Sequence, residues 1–195
     1  MSARTAEIKR KTLETDITAK LTLDGDGNAT VRTGIGFLDH MLTALARHAR
    51  MTLELTCDGD LQVDDHHTAE DCALALGDAV DRAMGERRGI RRFGYAYAPL
   101  DDALARAVVD LSGRPFAAID LGLGRERIGE LACENIEHVF SSLAVGARCN
   151  LHIDVLRGKN DHHRAEAAMK ALALALRMAV ATEGTDEIPS TKGTL

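Results

Sequence analysis

The chain has 195 residues, 45% of them hydrophobic and 28% charged, which suits one domain, or two tightly fused halves, with a full core. Its net charge of −6, its 3% of aromatics and its lack of Trp argue against a general nucleic-acid binder, which presents a basic surface and stacking rings. Cys57, Cys72, Cys133 and Cys149 show no C-x-x-C spacing, the N-terminus has no apolar signal segment, and the longest apolar run (residues 171–176) cannot span a bilayer, so reduced thiols in a soluble, cytoplasmic protein are expected.

Residues 8–23 alternate loosely and are rich in Thr, which predicts a strand. Asp24-Gly25-Asp26-Gly27-Asn28 has hairpin composition, with residues 29–33 returning as a second strand. Gly34-Ile35-Gly36 opens a helix over 37–50. A strand follows over 51–57, then a turn at Asp58-Gly59-Asp60 and a helix from Asp65 to about Met84. After a basic connector the order runs again. Residues 93–98 read as an extra strand, 103–110 and 115–121 as the hairpin, 134–147 as a helix, 149–156 as a strand, and 161–182 as a long Ala/Leu-rich helix whose apolar stripe is core.

The second half repeats the first. Setting His40 against His138 also aligns Leu45 with Leu143, Ala46 with Ala144, Arg50 with Arg148 and Leu53 with Leu151. The expected fold is therefore α+β, built from two β-β-α-β-α half-domains with sheets on one side and helices on the other. The pseudo-repeats span about 8–86 and about 93–182 of a single domain, and residues 186–195 form a tail.

The strongest motif is also written twice, as Asp65-His66-His67-Thr68-Ala69-Glu70 and Asp161-His162-His163-Arg164-Ala165-Glu166. On a helix the first His of each pair is i,i+4 from the Glu and the second is i,i+3. The two rings of a pair point about 100° apart, so each pair is expected to serve two different ions. Imidazole and carboxylate together suit divalent metals. Asp65 and Asp161 are expected as N-caps. A single helical His is more often a packed or surface residue, which is the reading taken for the unrepeated His48 and His152. Joint repetition favours metal ligation for the other six.

Arg87, Arg88, Arg91 and Arg92 crowd the connector, and Arg114 lies in a Gly-Arg-Pro turn. Guanidinium forks of this kind hold phosphate, although the run alone reads as a solvated basic loop. Pro189-Ser190-Thr191-Lys192-Gly193 is a second oxyanion-friendly cluster, and Glu14 is an acid on a Thr-rich strand.

With these residues assembled, the chain resembles the imidazoleglycerol-phosphate dehydratases of histidine biosynthesis. The resemblance rests on Glu14-Thr15, residues 33–42, residues 64–71, Arg92-Phe93-Gly94, residues 110–115, Glu137-His138, residues 160–166 and residues 189–193. Asp102 stands where Glu is expected in the family, and Met169 where an aromatic is common. The resemblance implies a lyase that removes water from D-erythro-imidazole glycerol phosphate to give imidazole acetol phosphate. It further implies a homo-oligomer of 24 subunits with active sites between subunits and two Mn2+ ions per site. The ligands it implies are His40, His66, His67, Glu70, His138, His162, His163 and Glu166. Arg92, Arg114, Lys170, Ser190 and Lys192 would hold the phosphate. Glu14 would contact the reacting carbons and, with Glu166, is a candidate for proton transfer.

The reaction accounts for such a site. The C–H bond to be broken has no adjacent carbonyl to acidify it. An imidazole acidified by bound metal becomes an electron-rich imidazolate, which expels the hydroxyl and leaves a diazafulvene-like intermediate with an acidic C–H. The alternative is a two-metal phosphate-ester hydrolase, which relies more on Asp and bridging carboxylates. A metal-storage protein would not need the Arg, Lys and Ser set, and a ribosomal-type RNA binder is disfavoured by the acidic balance.

Overall fold

The duplication is written in the two sheets. The computed structural model describes residues 3–195. The first half runs β1 (Thr5–Lys11), β2 (Thr15–Thr22), β3 (Ala29–Arg32), α1 (Gly36–Ala49), β4 (Thr52–Gly59) and α2 (His66–Met84). The second runs β5 (Phe93–Leu100), β6 (Ala103–Asp110) and β7 (Phe116–Asp120), then the short pair β8 (Arg127–Ile128) and β9 (Leu131–Ala132). It ends with α3 (Cys133–Gly146), β10 (Asn150–Arg157) and α4 (Asp161–Ala179). The two four-stranded sheets have the same order, β1-β2-β4-β3 and β5-β6-β10-β7. Even an unusual backbone is repeated: Arg50 and Arg148, aligned by the repeat, both adopt left-handed φ, 57° and 50°.

The α+β class and the duplicated halves are as expected, but the hairpins differ. The predicted strand over 8–23 is two strands, with β1 and β2 antiparallel about a turn at Thr12–Glu14. Thr12 Oγ1 closes that turn by accepting from the backbone N–H groups of Glu14 and Thr15, at 3.1 and 3.0 Å. A hydroxyl makes the turn where Gly or Asn would have signalled it. The Asp24–Asn28 segment is therefore no hairpin turn: β3 runs parallel to β4. The "extra" strand at 93–98 is likewise the counterpart of β1.

Each sheet turns one face to helices. Ile17, Ala19 and Leu21 of β2, and Ala103, Ala105, Ala107 and Val109 of β6, point inward and are buried. α1 and α2 cover the first sheet and α3 and α4 the second. The halves then meet helix to helix, α2 on α3 and α1 on α4. At the α2–α3 crossing the backbones nearly touch. A Cβ on Gly77 would lie 2.6 Å from Leu143 O and Ala147 N, and one on Gly146 would lie 2.4 Å from Leu74 O. Ala is the better helix former, yet no flexible group can yield here. Gly77→Ala is accordingly expected to destabilise by about 1–3 kcal/mol, read as a lower midpoint in chemical denaturation. Unchanged stability would mean that the crossing is looser than these distances.

The outer sheet faces are unlike. The first carries Glu7, Lys9, Lys20 and Glu54. On the second, Phe93, Tyr95 and Tyr97 of β5 and Phe116 of β7 are exposed, four of the chain's six Phe and Tyr residues. The cross-strand register places Phe93 and Phe116 in one row with Asp110 and Asn150.

Candidate metal centre

Helix starts position the repeated histidines: Asp65 stands at the N-cap of α2 as expected, though without a side-chain capping bond, whereas Asn160 and not Asp161 is the N-cap of α4. α2 begins at His66 and α4 at Asp161. The backbone N–H of His66 is held by Asp64 Oδ1 at 2.8 Å, and those of His162 and His163 by Asn160 Oδ1. The side chains of Asp65 and Asp161 instead reach β9 and the loop before β8. Asp65 Oδ2 accepts from Ala132 N at 2.6 Å, and Asp161 Oδ2 accepts from Gly124 N and Arg125 N at 2.9 and 2.7 Å. Both are buried, and such carboxylates take whatever N–H groups the fold leaves unpaired.

Six of the eight expected ligands form two clusters, His40–His162–Glu166 and His66–Glu70–His138, each with donor atoms all within 4.8 Å of one another. Each combines the lone His of one half with the pair-and-Glu of the other, so exchanging the halves turns one cluster into the other. Contact between α1 and α4, and between α2 and α3, brings this about. In the first cluster Glu166 Oε2 lies 2.9 Å from His40 Nε2 and 3.2 Å from His162 Nε2, while Lys170 Nζ meets Oε1 at 2.7 Å. Burial pushes the Glu166 carboxyl up, but the hydrogen bonds from Lys170 and His40 outweigh it and bring it down to about 2. In the second, the His66 and His138 rings stack at 4.9 Å.

These residues fit a divalent cation. His138 Nε2 is buried without a hydrogen bond, 3.3 Å from Glu70 Oε1. A buried nitrogen without a hydrogen bond, facing a carboxylate, is a donor pair that a cation could share. Two imidazoles and one carboxylate also suit a borderline or hard divalent metal.

His67 and His163 stand apart from both clusters. His67 Nδ1 is bonded to Asp60 Oδ2 at 3.0 Å, and Glu14 Oε1 lies 3.6 Å from its Nε2. The Asp60 hydrogen bond, with Glu14 nearby, raises the His67 pKa. His163 Nδ1 meets Asp102 Oδ1 at 2.7 Å. That bond and the N–H groups of Lys159 and Asn160 hold Asp102 well below the usual carboxylate range. Asn135 Oδ1 holds His66 Nδ1 in the same way, at 2.9 Å. Sequence reading missed Asp60, taken for a turn residue, and Asn135, which carries no local signal.

The expected phosphate residues divide. Arg92 forks onto Asp110 at 2.7 and 3.1 Å and donates to Pro189 O at 2.8 Å, pinning the tail. The tail turns at Ser190, where Ser190 Oγ accepts from Lys192 N at 3.2 Å, and it ends with Leu195 against Gly113, beside the exposed Arg114. Lys170 is paired with Glu166 of the first cluster. Arg87 is not a solvated loop residue: it is 3% exposed and bonded to Asp81 and the carbonyls of Ala147 and Arg148. His48 and His152 lie outside both clusters.

A profile of the imidazoleglycerol-phosphate dehydratase family matches residues 33–176, a span that includes both clusters. The chain belongs to this family. An imidazoleglycerol-phosphate dehydratase of Salinibacter ruber is 55% identical over all of this chain and 96% of its own length. The one of Scheffersomyces stipitis is 53% identical over 99% of each. A Phytophthora nicotianae relative is 60% identical over 98% of this chain, which spans 42% of that protein. The crystal structure of IGPD from Pyrococcus furiosus in complex with (S)-C348 superposes with a TM-score of 0.83 at 36% identity, covering 96% of this chain and all of that one. The Staphylococcus aureus dehydratase gives 0.82 at 33%, covering 91% and 99%. All six residues of the half-swapped clusters thus lie within the matched span.

Proposed function

We propose that the chain is a hydro-lyase converting D-erythro-imidazole glycerol phosphate to imidazole acetol phosphate in L-histidine biosynthesis, with two Mn2+ ions at each site. The observation that carries this is the pair of half-swapped His2Glu clusters in a member of the dehydratase family. His40, His162 and Glu166 hold one ion, and His66, Glu70 and His138 the other. His67 and His163 complete these sets on neighbouring subunits of a cytoplasmic homo-oligomer of 24 chains. Two features support self-association: neither His joins a cluster within its own chain, and the second sheet exposes four aromatic rings. Among the described residues no helix is long and apolar enough to cross a membrane.

When bound, the ions would supply the Lewis acidity that acidifies the substrate's imidazole. The chain's residues do the rest. Arg114, Ser190 and Lys192 bind the phosphate with Lys170, while Arg92 binds it and keeps the tail in place. Glu14 takes the proton from the carbon beside the one that loses hydroxide, water departs, and the enol ketonises. Glu14 suits this role better than Glu166, because its carboxylate is half-exposed and faces His67. Glu166 is occupied by two histidines and a lysine, and as an ion ligand it is not free to take a proton. A phosphate-ester hydrolase fits less well, since neither cluster contains Asp and each Glu serves one cluster only.

The direct test is turnover of imidazoleglycerol phosphate by the metal-stripped protein before and after Mn2+ is added. No restored turnover would refute the assignment. Phosphate recognition has its own test in Arg114→Ala. A charge-assisted contact of about 1.5–3 kcal/mol corresponds to about 10–150-fold in kcat/KM. The variant should lose that factor on the phosphorylated substrate and much less on unphosphorylated imidazole glycerol. Equal losses on both would make Arg114 a structural residue of its turn.

A further inference from the structure

Resting on the reading that the two clusters hold divalent ions, we infer that Asp60 and Asp102 are positioning residues that aim His67 and His163. We further infer that the two halves place this carboxylate at different chain positions, which leaves Glu14 free for proton transfer.

The argument starts from the repeat. Glu14 directly precedes β2 and Asp102 directly precedes β6. The registers Thr22↔Thr52 and Asp110↔Asn150 make these strands equivalent, so Glu14 and Asp102 occupy the same place in the two halves. Their contacts differ. Asp102 is fully engaged: Oδ1 meets His163 Nδ1 at 2.7 Å, and Oδ2 accepts from Lys159 N and Asn160 N at 2.6 and 3.2 Å. Glu14 does not hold His67 Nδ1. It stands 3.6 Å from the other ring nitrogen, beyond hydrogen-bond length.

In the first half the holding is done by Asp60, the residue directly after β4, at 3.0 Å. The residue directly after β10 is Gly158, with φ 139°. A Cβ there would lie 2.9 Å from that of Ala103 and 3.0 Å from Arg164 Cγ. β10 bulges between Val155 and Arg157, so by register Gly158 matches Gly59 and Lys159 takes the place of Asp60, which leaves no carboxylate at that position in the second half. Each half therefore has one carboxylate on Nδ1 of its second His, drawn from opposite positions.

The chemistry follows from the inventory of donors. An ionised carboxylate only accepts, so Nδ1 must carry the proton and Nε2 the lone pair. That tautomer presents Nε2 to a metal, and a partner on the far nitrogen fixes the ring's aim. With His67 already aimed by Asp60, the Glu14 carboxylate is not consumed by ligand support. It faces Nε2, the nitrogen this reading gives to the ion, and so stands beside the reacting ring.

The test counts Mn2+ bound per chain by equilibrium dialysis against buffered free Mn2+, with the thermal midpoint of each metal-free variant measured alongside. Asp60→Ala and Asp102→Ala should each weaken binding about 10–100-fold, the usual effect of removing such a partner. Asp60→Asn and Asp102→Asn retain an acceptor oxygen and should recover most of that loss. Glu14→Gln should bind Mn2+ as the wild type does. Wild-type affinity in both alanine variants would overturn the positioning role. So would alanine and asparagine variants that lose affinity equally, in step with a fall in midpoint. A Glu14→Gln loss matching Asp102→Ala would overturn the division of labour. A wild-type chain that binds no Mn2+ would instead refute the metal reading, and this inference with it.

Discussion

Glu14→Gln is expected to abolish turnover while leaving the fold and Mn2+ content intact. The substitution removes a proton acceptor without changing shape. Loss of a general base costs about 10²–10⁴-fold, so kcat should fall by that factor with KM little changed. The geometry explains why the effect should be clean. Glu14 lies in the β1–β2 turn, half-exposed, and the turn is closed by Thr12 Oγ1 and not by the Glu14 side chain. Steady-state kinetics on the substrate decides the matter. A kcat within a few-fold of wild type would move the role to another carboxylate, with Glu166 next in line.

Metal removal should have the second large effect, acting on assembly as well as on turnover. In a single chain each cluster has three donors, and the two remaining histidines have Asp60 and Asp102 as their partners on Nδ1. If neighbouring subunits complete each set, the ions are part of the subunit contact, and their binding free energy is assembly free energy. Exhaustive chelation should therefore lower the sedimentation coefficient, and added Mn2+ should restore both size and activity. A particle of unchanged size after complete metal removal would confine the ions to catalysis. Tyr95 and Tyr97 on the exposed sheet face offer a control, since Tyr95→Asp with Tyr97→Asp should shrink the particle without altering the ligand residues.

The sequence by itself determined a good deal. The repeated His-His-x-x-Glu words, each leading into a helix, were legible because helical spacing fixes which side chains share a face. The duplication was legible because the aligned residues keep an offset of 98 through α1 and β4, and of 96 in α2. The alternation of β2 and β6 and the Ala/Leu stripe of α4 likewise announced the core.

What only tertiary structure decided lies between elements. That His40 meets His162, and His138 meets His66, depends on helices of opposite halves packing together, which no local pattern encodes. Thr12 makes a turn that composition assigns to Asp24–Asn28, because a side-chain hydroxyl can close a turn without Gly. Asp65 holds the N-cap position of α2, yet its side chain and that of Asp161 reach N–H groups far along the chain, while Asp64 and Asn160 bond the first helical N–H groups. Asp60, Asp102 and Asn135 come from a strand end, a hairpin turn and a helix. Their task became visible only once folding had brought each one to a histidine Nδ1.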